Sequence, residues 1–232
     1  MKSIVILTGA GISAESGLKT FRDDNGLWEG HDIMEVASPE GWEKDQENVL
    51  NFYNIRRKQL LEVEPNTAHY AIVRLEEKYE VHIITQNVDD LHERAGSKNV
   101  LHLHGELLKV RSSIDETQVI EWKKDLKTGD LCSKRSQLRP HVVWFGEAVP
   151  MFQPAIEITR NADIVIIIGT SMQVYPAASL LDFKKEGAPV YFIDPRPSIF
   201  PQPAVRIIEK NAVEGVVELV DELLKNDDFP PL

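Results

Sequence analysis

The chain has a single cysteine, Cys132, among its 232 residues. One thiol cannot form an internal disulfide bond or supply a zinc site of four thiolates. Long apolar runs are also missing: the longest, Ile164 to Gly169, is far shorter than the roughly 20 residues that cross a bilayer. Residues 1–10 lack the charged and then apolar pattern of an export leader. The sequence therefore predicts a cytoplasmic protein with no membrane partner.

Positive charge is scarce as well. The chain has 26 lysines and arginines against 37 aspartates and glutamates, a formal net charge of −11. A protein that wraps nucleic acid normally concentrates basic residues on one face, so we expect no nucleic-acid partner. Basic protein segments are more natural partners, although an acidic surface usually serves solubility alone. With 42% apolar residues, the chain can bury one good core.

Apolar, β-branched runs alternate with helical patterns along the chain, and no internal repeat or low-complexity segment interrupts them. Such runs are typical of parallel strands buried on both faces. The predicted strands are Ile4 to Leu7, Val81 to Thr85, Ile164 to Ile168, Val190 to Ile193 and, more weakly, Val205 to Ile208. The predicted helices are Thr67 to Tyr79, Met151 to Arg160, Pro176 to Glu186 and Ala212 to Leu224. This alternation predicts an α/β fold with a Rossmann-like, doubly wound parallel sheet.

Two stretches do not fit the alternation. Asn25 to Val63 is helical in pattern without an intervening strand, and Glu106 to Leu138 is polar and irregular. We interpret them as insertions, from about 26–64 and 106–138, that build a second, smaller module within one catalytic domain of residues 1–225. Asn226 to Leu232 is rich in aspartate and proline, which predicts a flexible tail.

A glycine-rich segment follows the first predicted strand directly. Residues 9–14 read Gly-Ala-Gly-Ile-Ser-Ala, the pattern that brings a backbone turn against a pyrophosphate. A tight strand-to-helix turn would require glycine anyway, so the pattern alone is weak. A nicotinamide dehydrogenase would next show a second strand that ends in an acidic residue, and none is present. Asp23 and Asp24 stand at a plausible distance, but in a loop, so hydride transfer loses its usual architecture.

Polar side chains follow the second predicted strand, where open α/β sheets bind ligands. Residues 86–92 read Gln-Asn-Val-Asp-Asp-Leu-His; Asp89 or Asp90 could instead cap a helix that begins at Leu91. Residues 101–105 alternate like a strand, which would place His102 and His104 on one face. A zinc site lacks a third ligand at a familiar spacing, so a general base is the better interpretation for one histidine and a structural role for His102.

Two further segments favour ligand contacts but have structural alternatives. Residues 139–147 combine an apolar, aromatic strand with a glycine bend, which could accept an extended peptide or could be buried core. Gly169-Thr170-Ser171 closes the strand at 164–168 with small hydroxyl side chains. These suit phosphate or ribose contacts, and equally the cap of a following helix.

Together these segments resemble the sirtuins, the NAD-dependent protein deacylases, from Val5 to about Leu224. The motifs stand in family order: GAGISAESG at 9–17, TFR at 20–22, TQNVDDLH at 85–92, HG at 104–105, VVWFGE at 142–147 and GTS at 169–171. The resemblance implies that NAD is consumed as a co-substrate and that acylated-lysine proteins or peptides are the partners. The expected products are nicotinamide, free lysine and O-acyl-ADP-ribose.

The resemblance also implies roles for individual residues. The catalytic pair would be His104, the base, and Asn87. Val143 and Phe145 would line the acyl-lysine channel. Residues expected to hold the cofactor are Gly9, Ala10, Gly11, Ile12, Phe21, Arg22, Trp28, Gln86, Asn87, Asp89, Gly169, Thr170, Ser171, Asp194 and Ala212. Among these, Ile12 and Asp89 would bind the nicotinamide carboxamide, and Asp194 replaces the asparagine usual at the adenosine ribose.

A second resemblance, to class III sirtuins, concerns the substrate. Tyr53 and Arg56 form a Y-x-x-R motif, and Ala37 matches the small residue that widens the pocket in that class. Residues three apart share a helix face, so both can contact one ligand. A guanidinium beside a phenol can bind a carboxylate through charge-assisted hydrogen bonds, which predicts succinyl and malonyl as substrates besides acetyl. The alternative is an ordinary surface tyrosine and a solvated arginine.

The chain departs from the family in its small module. Sirtuins commonly carry four zinc-binding cysteines there, whereas this chain has Ser112 and Ser113 where the first should fall, and only Cys132 remains. Serine hydroxyls are poor zinc ligands, so we predict no structural zinc. The module must then be held by packing alone, with Val119, Trp122 and Leu126 as the candidates.

Two other functions would use similar residues. An NAD glycohydrolase or ADP-ribosyltransferase would transfer the ribose to water or to another nucleophile, and it would need no peptide channel. A non-catalytic module that senses NAD would not need His104.

Overall fold

The structure is a computed structural model that describes residues 1–19, 27–28, 31–198 and 204–226, with the backbone alone for 27–28. Its strands are β1 (Ser3–Thr8), β2 (Leu27–Trp28), β3 (His31–Asp32), β4 (Glu80–Thr85), β5 (Val100–His102), β6 (Gly105–Ser112), β7 (Val119–Glu121), β8 (Leu138–Val142), β9 (Ile164–Ile168), β10 (Val190–Ile193) and β11 (Val205–Ile208). Its α-helices are α1 (Gly11–Ala14), α2 (Ile33–Val36), α3 (Pro39–Lys44), α4 (Gln46–Glu62), α5 (Thr67–Arg74), α6 (Leu91–Ala95), α7 (Phe152–Arg160) and α8 (Ala212–Lys225). Leu75–Glu77 and Ala177–Phe183 form 3-10 helices.

The main sheet is parallel throughout and has the strand order β11-β10-β9-β1-β4-β5. Ile4 and Ile6 of β1 belong to the core cluster that includes α5 and α8. Val5 and Leu7 belong to the opposite cluster, with α7 and the 3-10 helix Ala177–Phe183. Because successive side chains of a strand point to opposite faces, β1 is buried on both sides. The predicted doubly wound α/β fold is confirmed.

The chain order reverses across this sheet at β1. From β1 the chain runs outward through β4 to β5, and it later returns to β9 on the other side of β1. The loops that leave β1 and β9 therefore diverge and open a crevice at their carboxyl ends. Such a switch point is where open α/β sheets bind ligands.

A second core lies outside the main sheet and draws on both insertions. It joins Val49, Leu50 and Tyr53 of α4 with Leu107 and Val110 of β6, together with neighbouring apolar residues. Its strands form an antiparallel sheet in the order β7-β6-β8. The division of the chain into one domain with this small module stays a proposal, and most of the expected tail, 227–232, lies outside the described residues.

Several local expectations from the sequence were wrong. Glu106 to Leu138 is not irregular, because it contains most of β6, in which Leu107, Leu108 and Val110 are buried. The stretch 25–63 is not free of strands, since β2 pairs with β3. Residues 176–186 contain a 3-10 helix, Ala177–Phe183, instead of an α-helix. The strand and glycine bend predicted at 139–147 are present, but the strand is shorter than expected, because β8 ends at Val142 and a turn with Gly146 follows. Short or partly polar elements carry too little periodicity to be recognised.

Polar side chains, and not packing alone, fasten the small module. Asn54 of α4 donates from Nδ2 to the Leu126 carbonyl oxygen (2.9 Å), and its Oδ1 accepts from the Leu126 amide (2.8 Å) and from Arg57 (2.8 Å). The side-chain nitrogen Nε2 of Gln137 donates to the carbonyl oxygens of Lys127, Asp130 and Leu138. Of the three apolar candidates, Leu126 is buried, Trp122 packs against the second core, and Val119 is half-buried outside it.

No helix among the described residues has the length and apolar character needed to cross a membrane. Nor does that part of the chain bring three or more histidine, cysteine or acidic side chains together as a metal site. The absence of zinc stays a prediction.

Candidate functional site

Glycine backbone forms the floor of the crevice between β1 and β9. The Gly9 amide donates to the Ile168 carbonyl oxygen (3.0 Å) and the Gly11 amide to that of Gly169 (2.9 Å). A Cβ atom on Gly11 would lie 2.6 Å from the Gly169 Cα, which no real structure tolerates, and Gly169 itself has a φ of +59°. Only glycine allows the two loops to approach this closely and to leave backbone exposed to a ligand.

A cavity of about 540 Å³ opens above this floor and continues toward the small module. It collects most of the predicted site residues from both ends of the chain. From the cofactor prediction these are Gly9, Ala10, Gly11, Gln86, Asn87, Asp89, Gly169, Thr170, Ser171, Asp194 and Ala212. His104, Tyr53, Arg56, Val143 and Phe145 line the same cavity.

Some predicted residues are not placed there. The Ile12 side chain is fully buried in the main core and does not line the cavity. Its amide donates to the Gly9 carbonyl oxygen, and its own carbonyl oxygen accepts from Asn66. The Ile12 side chain therefore packs the loop after β1 against the main core, and a contact between Ile12 and the nicotinamide carboxamide stays a prediction. Phe21, Arg22 and the side chain of Trp28 lie outside the described residues.

Hydrogen bonds fix the loop after β4. The Gln86 side chain donates to Thr170 Oγ1 (2.9 Å), across the crevice. Asn87 Nδ2 donates to the Gly9 carbonyl oxygen and to Ser13 Oγ, both at 3.1 Å, and the Asn87 amide donates to Thr85 Oγ1 (3.0 Å). With both amide protons of Asn87 engaged, its side-chain oxygen is the atom left to accept a hydrogen bond from a ligand.

Asp89 is buried at the same loop. Burial raises the pKa of its carboxyl group, while hydrogen bonds from the Leu91 amide and Ser13 Oγ act in the opposite direction. The structure also answers the question of which aspartate caps α6. Asp89 accepts from the Leu91 amide at 3.2 Å, whereas the side chain of the N-cap residue, Asp90, makes no capping bond. Asp89 thus combines a capping bond with a position at the cavity.

His104 stands in a turn after β5, and not on a strand face as the alternation suggested. Its Nδ1 lies 3.1 Å from the Gln86 carbonyl oxygen. A carbonyl oxygen can only accept, so Nδ1 carries the proton and Nε2 holds the free lone pair. Burial lowers the pKa of the imidazole. His104 is therefore a neutral ring at pH 7 with a basic nitrogen in the cavity, as a general base requires.

His102 has different partners. Its Nδ1 lies 3.0 Å from the Asn87 carbonyl oxygen, and its Nε2 lies 2.8 Å from Glu93 Oε1. Burial lowers the pKa of His102, but the hydrogen bond and charge of Glu93 outweigh it, so the pKa is raised overall. Both ring nitrogens are engaged, which supports the structural interpretation of this residue.

The far end of the cavity is aromatic and basic. Tyr53 is fully buried, and its hydroxyl oxygen accepts from Trp144 Nε1 at 2.9 Å. Arg56, one helical turn further along α4, is half-buried, with its guanidinium carbon 5.8 Å from the centroid of the Phe52 ring. Ala37 forms part of the same wall, and its carbonyl oxygen accepts from the Phe145 amide at 2.9 Å. The first insertion and the segment after β8 therefore close this end together.

Two further residues contribute to the site, although the sequence motifs that contain them predict no role for either. Ser13, within the glycine motif, links Asn87 to Asp89 through its hydroxyl group. Trp144, within the motif at 142–147, lines the cavity and contacts Tyr53. For Ser13, the only indication in the sequence was a hydroxyl group four residues after Gly9. The contact of Trp144 spans 91 positions and could not be read locally.

Comparisons with known proteins agree with this geometry. The model of the Sir2 family matches residues 9–176. An NAD-dependent protein deacylase of Helicobacter pylori is 59% identical over 226 residues, which is 97% of this chain and 99% of that protein. A Sir2 homologue crystallised with NAD is 42% identical, with a TM-score of 0.87 over 97% of this chain and 90% of that one. A mutant Sir2 homologue bound to 2′-O-acetyl-ADP-ribose is 41% identical, with a TM-score of 0.85 over 97% and 92%. The chain therefore belongs to the Sir2 family.

Proposed function

We propose that this chain is an NAD-dependent protein-lysine deacylase, and that it removes succinyl and malonyl groups as well as acetyl groups. One observation carries the proposal. The free nitrogen of a neutral His104 lies in the same cavity as a glycine-lined crevice at one end and the Tyr53–Arg56 pair at the other. Similarity to deacylases supports the reaction class. A cytoplasmic location stays a prediction of the sequence.

The crevice fits a dinucleotide. The backbone at Gly9, Gly11 and Gly169 leaves no room for a Cβ atom. Phosphates can therefore come close to the backbone of this floor. We assign Ala10, Gly11, Thr170 and Ser171 to the phosphates and their ribose. Gln86 and Asn87 are assigned to the nicotinamide ribose, Asp89 to the carboxamide, and Asp194 and Ala212 to the adenosine. Phe21, Arg22 and Trp28 stay predictions for the same ligand. When bound, NAD supplies an electrophilic ribose carbon and receives the acyl group, with nicotinamide as the leaving group.

The side chains of this protein then take up a proton, orient a hydroxyl group and line the path of the acyl-lysine. His104 Nε2 takes a proton from a ribose hydroxyl, because Nδ1 is held by the Gln86 carbonyl oxygen. Asn87 offers its side-chain oxygen as an acceptor and so orients that hydroxyl or a water molecule. Val143 and Phe145 line the path of the acyl-lysine side chain, and the Val143 amide donates to the His104 carbonyl oxygen at 2.8 Å. This backbone hydrogen bond joins the segment that lines the lysine channel to the turn that carries the base.

Tyr53 and Arg56 account for the acidic acyl groups. A carboxylate at the end of a four-carbon chain needs hydrogen-bond donors and a positive charge at the closed end of the channel. The guanidinium supplies charge and donors, and the phenol supplies an O–H. The small side chain of Ala37 leaves space for the longer acyl group.

The experiment compares succinyl-lysine and acetyl-lysine forms of one peptide with NAD, using mass spectrometry to quantify products. We expect Arg56→Met to lower kcat/KM for the succinyl peptide about 10- to 100-fold relative to the acetyl peptide, the range for a hydrogen bond to a charged group. Lys58→Met is the matched control, since Lys58 lies on the same helix but pairs with Asp125 outside the cavity. An unchanged ratio in Arg56→Met would refute the acyl preference. Free ADP-ribose without an acylated form would refute the deacylase and favour the glycohydrolase alternative.

A further inference from the structure

Trp144 follows β8 and packs against Tyr53 of helix α4. It is buried, it lines the cavity, and its indole N–H donates to the hydroxyl oxygen of Tyr53 at 2.9 Å. The two rings are 6.5 Å apart at an interplanar angle of 34°. The indole therefore reaches Tyr53 by its polar edge and not by face-to-face stacking.

Charged neighbours hold the indole in this orientation. The Arg139 guanidinium carbon lies 3.3 Å from the centroid of the Trp144 ring. Arg139 also donates to Glu147 Oε1 at 2.6 Å, and Glu147 Oε2 accepts from the Trp144 amide at 2.8 Å. A second buried arginine, Arg111, donates to both oxygens of Glu147 at 3.3 Å. The ring face and the backbone of Trp144 are thus fixed by one ion-pair network.

The direction of the Trp144–Tyr53 bond has a chemical consequence. An indole N–H can only donate, so the phenol oxygen of Tyr53 must accept. The phenol then has its own O–H left for the cavity, beside Arg56. Burial raises the pKa of Tyr53, so the hydroxyl keeps its proton at neutral pH. A carboxylate can only accept, which makes it the natural partner of this O–H.

We propose that Trp144 is a positioning residue for acyl specificity: by occupying the acceptor side of the Tyr53 hydroxyl, it makes Tyr53 a hydrogen-bond donor aimed at the acyl group's carboxylate. The inference rests on the proposed function, since it concerns how the same cavity recognises acidic acyl groups. It adds Trp144, with Arg139 and Glu147 behind it, to the Tyr53–Arg56 pair. Without the indole N–H, the phenol could turn and accept instead, and the preference for a carboxylate would weaken.

The test measures the ratio of kcat/KM for succinyl-lysine to that for acetyl-lysine. Trp144→Phe keeps an aromatic ring for Arg139 but removes the N–H donor. We expect this ratio to fall about tenfold, mainly through KM for the succinyl peptide, the size expected for one oriented hydrogen bond. In a Tyr53→Phe background, Trp144→Phe should cause no further fall, because its effect passes through the hydroxyl that is already gone.

Trp42→Phe is the matched control. Its ring lies 5.7 Å from that of Trp144, so it tests general packing at the same place, and it does not line the cavity. We expect it to leave the ratio unchanged. An unchanged ratio in Trp144→Phe, or an equal fall in the Tyr53→Phe background, would overturn the inference. If Trp144→Phe does not fold, benzothienylalanine at position 144 replaces the N–H with sulfur in a ring of nearly the same shape, and the same two outcomes apply.

The outcome separates this inference from the proposed function. If Arg56→Met leaves the ratio unchanged, the acidic preference itself is wrong, and the role of Trp144 is wrong with it. If Arg56→Met and Tyr53→Phe lower the ratio but Trp144→Phe does not, only the role of Trp144 is wrong.

Discussion

Removing the side chain of Asn54 should destabilise the small module more than any surface change on the same helix. Asn54→Ala deprives three buried groups of their partner: the amide and the carbonyl of Leu126, and the guanidinium of Arg57. Each buried polar group left unpaired costs about 1–3 kcal/mol. Arg57 keeps its hydrogen bonds to the carbonyl oxygens of Leu107 and Lys124. We therefore expect a cost at the lower end of this range for each of the three groups. We expect a loss of about 3 kcal/mol in the free energy of unfolding.

For a chain of this length, such a loss lowers the Tm by about 6–12 °C. Asn51→Ala is the matched control, because Asn51 is exposed on the same helix and carries the same gain of about 0.6 kcal/mol in helix propensity. Calorimetry gives the Tm of both variants, and amide hydrogen exchange shows whether protection is lost first around Leu126. Equal Tm values for Asn54→Ala and Asn51→Ala would refute the view that polar side chains fasten this module.

Two histidines and the single cysteine give three other predictions. Because burial lowers the pKa of His104, the acidic limb of kcat/KM should lie below pH 6.5, and a limb at or above that value would contradict the assignment of the base. His69 has a pKa lowered by burial to about 4, and it stays neutral while the unfolded chain takes up a proton near pH 6.5; stability should therefore fall as the pH drops from 6.5 toward 4. Between pH 7 and pH 5, the free energy of unfolding measured in urea should fall about 2 kcal/mol less for His69→Gln than for the wild type. An equal fall in both proteins would argue against a neutral buried ring. With Cys132 as the only thiol, a chelator should leave the Tm unchanged, and elemental analysis that finds one zinc per chain would refute this.

Long elements with strong periodicity could be predicted from the sequence. The run at 164–168 is apolar at every position, and β9 is buried at every position. The same reasoning failed for β6, whose polar side chains alternate irregularly with Leu107, Leu108 and Val110. It also failed at 101–105, where the alternation continues after the strand has ended at His102. The pattern of apolar residues in a short stretch predicts which side chains are buried. A buried stretch forms a strand only where its backbone is also extended.

The candidate site shows the same division. The glycine motif and the polar loop after β4 could be found because each lies at the end of an apolar run. The burial of the Ile12 side chain could not be predicted, because the motif does not say which side chains of a turn point into the core. Trp144 was missed as a partner of Tyr53, since the two are 91 positions apart.

The sequence by itself determined which apolar runs form the buried strands of the main sheet, which residues are chemically able to act, and that one cysteine is left in the small module. Only the tertiary structure decided how these groups face one another: that His104 bonds to Gln86 through Nδ1, and that Trp144 donates to Tyr53. The physical reason is the range of the interactions. Hydrophobic burial acts through local periodicity and is visible in a short window, whereas a hydrogen bond depends on positions within about 3 Å that are set by the packing of distant segments.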